Sequence, residues 1–171
     1  MPRSAVVVQL TLAAALSTSV VLGTSVEAAA EAALSYSYEY PLALETAQTP
    51  ESLTTSVATD FRRFFPFDSD CPRLPPIGGR CDLYVLPGIP VPSNPVQVID
   101  RTSNSWTFQS LPGHTEGAGR TIVFSFEPSP TGLELHTRAN GPYTLTAAAT
   151  IYSGGAYFFW HVFADKVSQA F

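Results

Sequence analysis

The chain has 171 residues and a formal net charge of −5, and only 13% of its residues are charged, about half the usual share. Lys166 is the single lysine, so there is no basic stripe to neutralise phosphates, which excludes nucleic acid as a partner. The length allows one domain of ordinary size with its own core, solvated more by Ser and Thr hydroxyls than by ions.

At the N-terminus, Arg3 precedes an apolar run from Ala5 to Gly23, and Val26-Glu27-Ala28-Ala29-Ala30 places small residues where a signal peptidase reads. Residues 1–30 therefore read as a secretory leader removed after Ala28 or Ala30, and residues 31–171 as a single exported domain. An uncleaved membrane anchor is the alternative, because the run approaches bilayer length; Gln9, Thr11, Ser17, Thr18 and Ser19 argue against it. Any contact with a membrane rests on that uncleaved form. Export puts Cys71 and Cys81 in an oxidising compartment, where a disulfide is expected. Two thiols without a matching His or Cys pair make no zinc site.

Leu34 to Leu42 alternates Tyr36, Tyr38 and Tyr40 with Ser35, Ser37 and Glu39, which predicts a strand with one aromatic face. Thr49-Pro50-Glu51-Ser52 then opens a helix with a hydroxyl cap, a proline at its first position and an acid in its first turn. Leu53, Val57, Phe61 and Phe64 or Phe65 recur at helical spacing, so one helix is expected, stopping before Pro66. From Phe67 to Pro95 the chain is proline-rich and irregular around the disulfide, with a short strand at Asp82–Leu86, a turn at Pro87-Gly88 and an extended segment from Pro90 to Pro95.

Val96–Asp100, Trp106–Leu111, Thr121–Phe126 and Leu133–Thr137 alternate in the manner of antiparallel strands with one buried face. Asn140-Gly141 is a hairpin signal, leading to a last strand over Tyr143–Ala147 that runs on toward Tyr152. Gly154-Gly155 breaks the pattern. The chain ends in a helix with Ala156, Trp160, Phe163, Ala164, Val167 and Phe171 on one face, opposite His161, Asp165, Ser168 and Gln169. So broad an aromatic stripe needs a concave partner, which a curved antiparallel sheet supplies. The fold class is α+β: a curved antiparallel sheet around a long C-terminal helix, with one more helix after the first strand.

The connection between Leu111 and Thr121 is far longer than a hairpin needs and holds three glycines, His114, Glu116 and Arg120. The stretch Trp106-Thr107-Phe108-Gln109-Ser110-Leu111-Pro112-Gly113-His114, followed by Glu116-Gly117-Ala118-Gly119, resembles a pattern in uncharacterised bacterial proteins of the START-like, helix-grip superfamily. That resemblance implies a sheet gripping the terminal helix, with a cavity between them in many members. The superfamily usually has a pair of short helices after its first strand, whereas here a proline-rich, disulfide-closed segment takes part of that space.

His114 and Glu116 are the candidate catalytic residues. If the loop is extended they project to one side, where a carboxylate orients an imidazole for acid–base work; otherwise His114 binds the loop's own backbone. Trp106, Phe108, Phe124, Phe126, Phe159, Trp160 and Phe163 read either as solid core or, in part, as the wall of an apolar pocket with His114, Glu116 and Arg120 at its mouth. The ligand-binding set is then Trp106, Phe108, His114, Glu116, Arg120, Phe124, Phe159, Trp160 and Phe163. Glu134, His136 and Arg138 share one strand face and read as a charged outer surface; a metal cluster of His114, Glu116 and His136 lacks any ligand spacing. His161 reads as solvated. The sequence holds no Gly-x-Ser-x-Gly elbow, P-loop, dinucleotide fingerprint or metalloprotease helix, so no cofactor or metal is expected. Three functions remain: a carrier of a small hydrophobic or amphiphilic molecule, an envelope module that binds another protein through its loops, and an acid–base enzyme.

Overall fold

Period-two burial runs through the long strands of the sheet, and each strand turns its large apolar side chains to the same side. In a computed structural model, which describes residues 33–85 and 93–171, the strands and helices follow in the order β1 (Ala33–Leu42), α1 (Pro50–Thr59), α2 (Phe61–Phe64), β2 (Asp68–Ser69), β3 (Arg80–Tyr84), β4 (Asn94–Arg101), β5 (Ser105–Ser110), β6 (Thr121–Ser129), β7 (Gly132–Pro142), α3 (Leu145–Tyr152) and α4 (Gly155–Ser168). The expected leader, the end of the Asp82 strand, the Pro87-Gly88 turn and the first half of the Pro90–Pro95 segment lie outside the described residues. Among the described residues, no helix is long and apolar enough to cross a membrane.

The strands form one antiparallel seven-stranded sheet in the order β1-β7-β6-β5-β4-β3-β2. Tyr36, Tyr38 and Tyr40 of β1, Leu133, Leu135 and Ala139 of β7, Phe124 and Phe126 of β6, Trp106 and Phe108 of β5 and Val96 and Val98 of β4 are all buried on its inner face. Between β4 and β5 the register slips at Ile99, since Val98 faces Phe108 while Asp100 faces Thr107. A bulge of this kind bends a strand and increases its twist, and here it helps curl the sheet.

The hollow is filled by α4, whose Ala156, Trp160, Phe163, Ala164 and Val167 are buried. Two long-range bonds fix its position: Trp160 Nε1 donates to Tyr36 Oη over 2.8 Å, and Tyr40 Oη donates to the Tyr157 carbonyl over 3.0 Å. Lys166 Nζ also donates to the Phe65 carbonyl over 2.9 Å, tying α4 to the chain after α2.

The helix starting at Thr49 is capped as its sequence predicts, with Thr49 Oγ1 accepting from Ser52 N and Ser52 Oγ accepting from Thr49 N. It does not run unbroken to Pro66. Asp60 leaves the helical conformation (φ −125°, ψ 51°) and divides it into α1 and α2, a pair of short helices. Phe61, Phe64 and Phe65 all reach the core, and the Phe61 and Phe65 rings stack at 4.5 Å. At the break the Ala58 carbonyl accepts from Leu74 N at 2.8 Å and Arg62 N donates to the Pro72 carbonyl at 3.4 Å, so the segment next to the disulfide takes the partners an unbroken helix would have used.

The Asn140-Gly141 hairpin and the Tyr143–Ala147 strand are not what forms. β7 continues through both residues to Pro142, pairing Asn140 with Thr121 on one side and with Ser35 on the other. The glycine answers to a close approach instead of a turn, because a Cβ on Gly141 would lie 2.6 Å from Arg120 Cα. Beyond Pro142, Thr144 Oγ1 accepts from Ala147 N at 3.1 Å and caps α3, so the alanine-rich run becomes a helix, as its propensity favours. The Gly154-Gly155 break is where expected: Gly154 turns the chain from α3 into α4 at φ 80°.

The Cys71–Cys81 disulfide closes its loop with a Cα separation of 5.7 Å. Reducing it in the folded protein should lower the free energy of unfolding by about 2–3 kcal/mol, read from urea denaturation with and without reductant. In the same assay Gly141→Ala should cost about 1–3 kcal/mol, because the new methyl meets backbone that cannot step aside; a neutral substitution would show that the β7 end has room to move.

Candidate functional site

The long connection between β5 and β6 is a tightly bonded loop. Ser110 Oγ donates to the Gly117 carbonyl at 2.7 Å and accepts from Arg120 N at 3.0 Å, while Gly119 N reaches the Ser110 carbonyl at 2.9 Å. These closures need backbone at φ 91° for Gly117 and 83° for Gly119, a region that side chains disfavour. Three further bonds fold the loop inward. Asn94 Oδ1 on β4 accepts from both Thr115 N and Thr115 Oγ1, at 3.0 and 2.7 Å, and Thr144 Oγ1 donates to the Glu116 carbonyl at 3.0 Å.

Folded this way, the loop brings His114, Glu116 and Arg120 to a cavity of about 290 Å³ between the sheet and α4. Much of the wall is aromatic: Phe65, Phe67, Phe108, Phe124, Phe159 and Trp160. Ala139 of β7 and Ala156 of α4 also line it, and Tyr36 and Thr150 add polar groups.

The polar groups are already engaged with one another. Arg120 is buried, and its guanidinium donates to the Pro142 carbonyl at 2.8 Å and to the Leu34 carbonyl at 3.3 Å, with its Nε 3.5 Å from Glu116 Oε2. Burial raises the Glu116 carboxyl above its usual range, an effect opposed by Arg120 and by a hydrogen bond with Thr150. His114 Nδ1 accepts from Glu116 N at 3.1 Å, which leaves the ring proton on Nε2. Burial first, and the Arg120 charge second, lower its pKa to about 4, so the imidazole is neutral at physiological pH. The contact that forms between these two residues is thus backbone to ring, and the Glu116 carboxylate pairs with Arg120.

Of the residues expected to bind a ligand, Phe108, His114, Glu116, Arg120, Phe124, Phe159 and Trp160 line the cavity. Trp106 and Phe163 do not; both are fully buried in the solid core beside it, with the Trp106 ring stacked on Phe124 at 5.4 Å. Phe126 joins that core. Tyr36, Phe65, Phe67, Ala139 and Ala156 line the cavity without having been singled out from the sequence. The alternation of β1 did place Tyr36 on the inner face, but periodicity cannot tell a cavity wall from packed core.

His136 lies on the opposite, convex face and so does not meet His114 or Glu116. It is covered there by a charged cluster, its Nε2 3.3 Å from Glu134 Oε2 and its Nδ1 2.9 Å from Arg138 Nη2, with Glu39 and Glu127 close by. His161 is exposed on α4, 3.4 Å from Asp165.

No protein-family model matches the sequence, and neither does any curated protein. Solved structures do. The chain is similar to a structural-genomics protein of Mesorhizobium loti, with 17% identity, a TM-score of 0.56, and coverage of 79% of this chain and 94% of that one. It is similar to the Aha1 dimer of Colwellia psychrerythraea at 14% identity and a TM-score of 0.52, covering 81% and 94%. It is also similar to a Thalictrum norcoclaurine synthase point mutant in complex with a transition-state analogue, at 12% identity and a TM-score of 0.56, covering 82% and 94%. At these identities the likeness concerns the fold: a curled antiparallel half-barrel closed by a C-terminal helix, the helix-grip architecture.

Because His114 is held neutral in the fold and charges freely once unfolded, the unfolded state binds protons more strongly between the folded value of about 4 and the ordinary 6.5. Its contribution to stability is therefore complete above pH 6.5 and lost as pH falls through that window. Glu116 acts in the opposite sense, its raised carboxyl taking up a proton in the fold first. In urea denaturation across pH 4–7, His114→Gln should flatten the acid-side decline; the same slope in variant and parent would count against a buried neutral imidazole.

Proposed function

We propose that this is an exported, non-enzymatic protein that holds one small hydrophobic or amphiphilic molecule in the cavity between the sheet and α4. The observation that carries the reading is the cavity itself: about 290 Å³, with a largely apolar wall rich in aromatic rings and polar groups that come chiefly from the β5–β6 loop. That volume lies at the low end for small-molecule sites, which points to a ligand of one or two rings or a short chain. Support for export comes from the leader-like residues 1–30 and the Cys71–Cys81 disulfide. The similar Thalictrum structure, a complex with a transition-state analogue, lends support to small-molecule binding on this fold.

An acid–base reaction on the bound molecule is the second reading, favoured by the presence of both His114 and Glu116 in the cavity wall. Against it, the imidazole Nδ1 is occupied by Glu116 N and the carboxylate is held by Arg120. A role as an envelope interaction module draws on other features, the exposed Leu145, Tyr152 and Phe158 on α3 and α4. The solid core expected of such a module is not favoured by a lined void.

A panel of small lipophilic compounds should contain members that raise the melting temperature, since a ligand at a hundred times its Kd adds about 2.7 kcal/mol to the native state. Ala139→Phe, which fills the cavity from β7, should abolish that rise while leaving a cooperative transition. A panel without effect on the parent, or a rise that survives the filling substitution, would move the ligand elsewhere or remove it.

A further inference from the structure

The groups at the polar end of the cavity restrict what kind of molecule fits, and this inference rests on the cavity being a ligand site. Neither charge there is open to a charged ligand. Glu116 and Arg120 neutralise each other at 3.5 Å, and the guanidinium is further engaged by the Pro142 and Leu34 carbonyls. A ligand carboxylate would have to compete with Glu116 for Arg120, and an ammonium would have to compete with Arg120 for Glu116. Either exchange would take place in a buried site, where an uncompensated charge is costly.

What the wall does offer is donors. Tyr36 is buried to 7% exposure, and its Oη accepts from Trp160 Nε1 at 2.8 Å. Among the described residues the Tyr36 hydroxyl donates to no acceptor, so its proton is available to the space it lines. Accepting the indole N–H also polarises that hydroxyl and strengthens it as a donor. Nearby, the His114 tautomer fixed by Glu116 N leaves Nε2–H as a second donor in the same wall. A hydrocarbon would leave both donors without partners.

We propose that the cavity takes an uncharged carbonyl compound, a ketone or aldehyde on an apolar ring frame, whose oxygen accepts a hydrogen bond from Tyr36 Oη. The aromatic walls hold the frame, Tyr36 sets its orientation, and the Glu116–Arg120 pair stays intact.

Three probes of matched size separate the possibilities: 1-tetralone, tetralin and 1-naphthoate, titrated calorimetrically into the full chain and into Tyr36→Phe. The parent should bind 1-tetralone most tightly, and loss of the hydroxyl should weaken it about fivefold to tenfold while leaving tetralin unchanged. In the parent, the infrared carbonyl stretch of bound tetralone should lie below its value in hexane, and in Tyr36→Phe the shift should vanish. Equal affinity of the parent for tetralone and tetralin, tightest binding of naphthoate, or an unshifted carbonyl stretch would overturn the carbonyl assignment while leaving the cavity as a binding site. Binding of none of the three overturns the assignment and the cavity reading together. Should Tyr36→Phe fail to fold, the stretch measured in the parent decides the matter alone.

Discussion

The structure around the cavity depends on a single buried cation. Arg120 sits where β6 begins, nearly without solvent, and a guanidinium in that position is tolerable only if its N–H groups find partners. It finds them on three separate segments: the end of β7 at Pro142, the start of β1 at Leu34, and the loop carboxylate of Glu116. The residue thereby stitches the edge of the sheet to the connection between β5 and β6. The same crowding explains why β7 carries a glycine at position 141, since no side chain fits against the Arg120 backbone. Removing one partner would strand a charge in the interior, and this makes the loop conformation as strongly specified as the sheet.

Next to that anchor, the interior divides into two regions of different character. Around Trp106, Phe124, Phe126 and Phe163 the rings meet with centroid spacings of 5.4 to 6.4 Å. Further along, Ala139 on β7 and Ala156 on the facing α4 occupy inward positions where larger residues would close the space. The void arises from this change of side-chain size on an otherwise continuous aromatic face.

Much of this architecture was legible from period and punctuation. The tyrosines of β1, the Thr49 cap, the alternating strands from Val96 onward and the amphipathic C-terminal segment each carry a local signal strong enough to locate an element. The errors came where tertiary contact overrode a local rule. Asn140-Gly141 has the chemistry of a turn, yet the glycine serves a close approach to Arg120, and once β7 runs through it the alanine-rich run after Thr144 is free to coil. The first helix divides at Asp60, where the Ala58 carbonyl and Arg62 N bond to Leu74 and Pro72 instead of to each other. In the site, His114, Glu116 and Arg120 stood out as charged groups in an over-long loop. Tyr36 did not, because its significance comes from Trp160, 124 residues away, and no local pattern carries that information.

The place of β1 in the sheet has a bearing on how the chain reaches its native state. It is the first strand made, yet it lies at the edge of the sheet, and the strand it pairs with is β7, Ala33 opposite Pro142. Contacts so distant along the chain close late and slowly, because the loop entropy must be met before any bond is gained. A polypeptide emerging N-terminus first therefore keeps β1 without its partner strand until β7 has been made. The sheet thus closes at its far edge only once β7 is available, and the gripping of α4 follows as the last step.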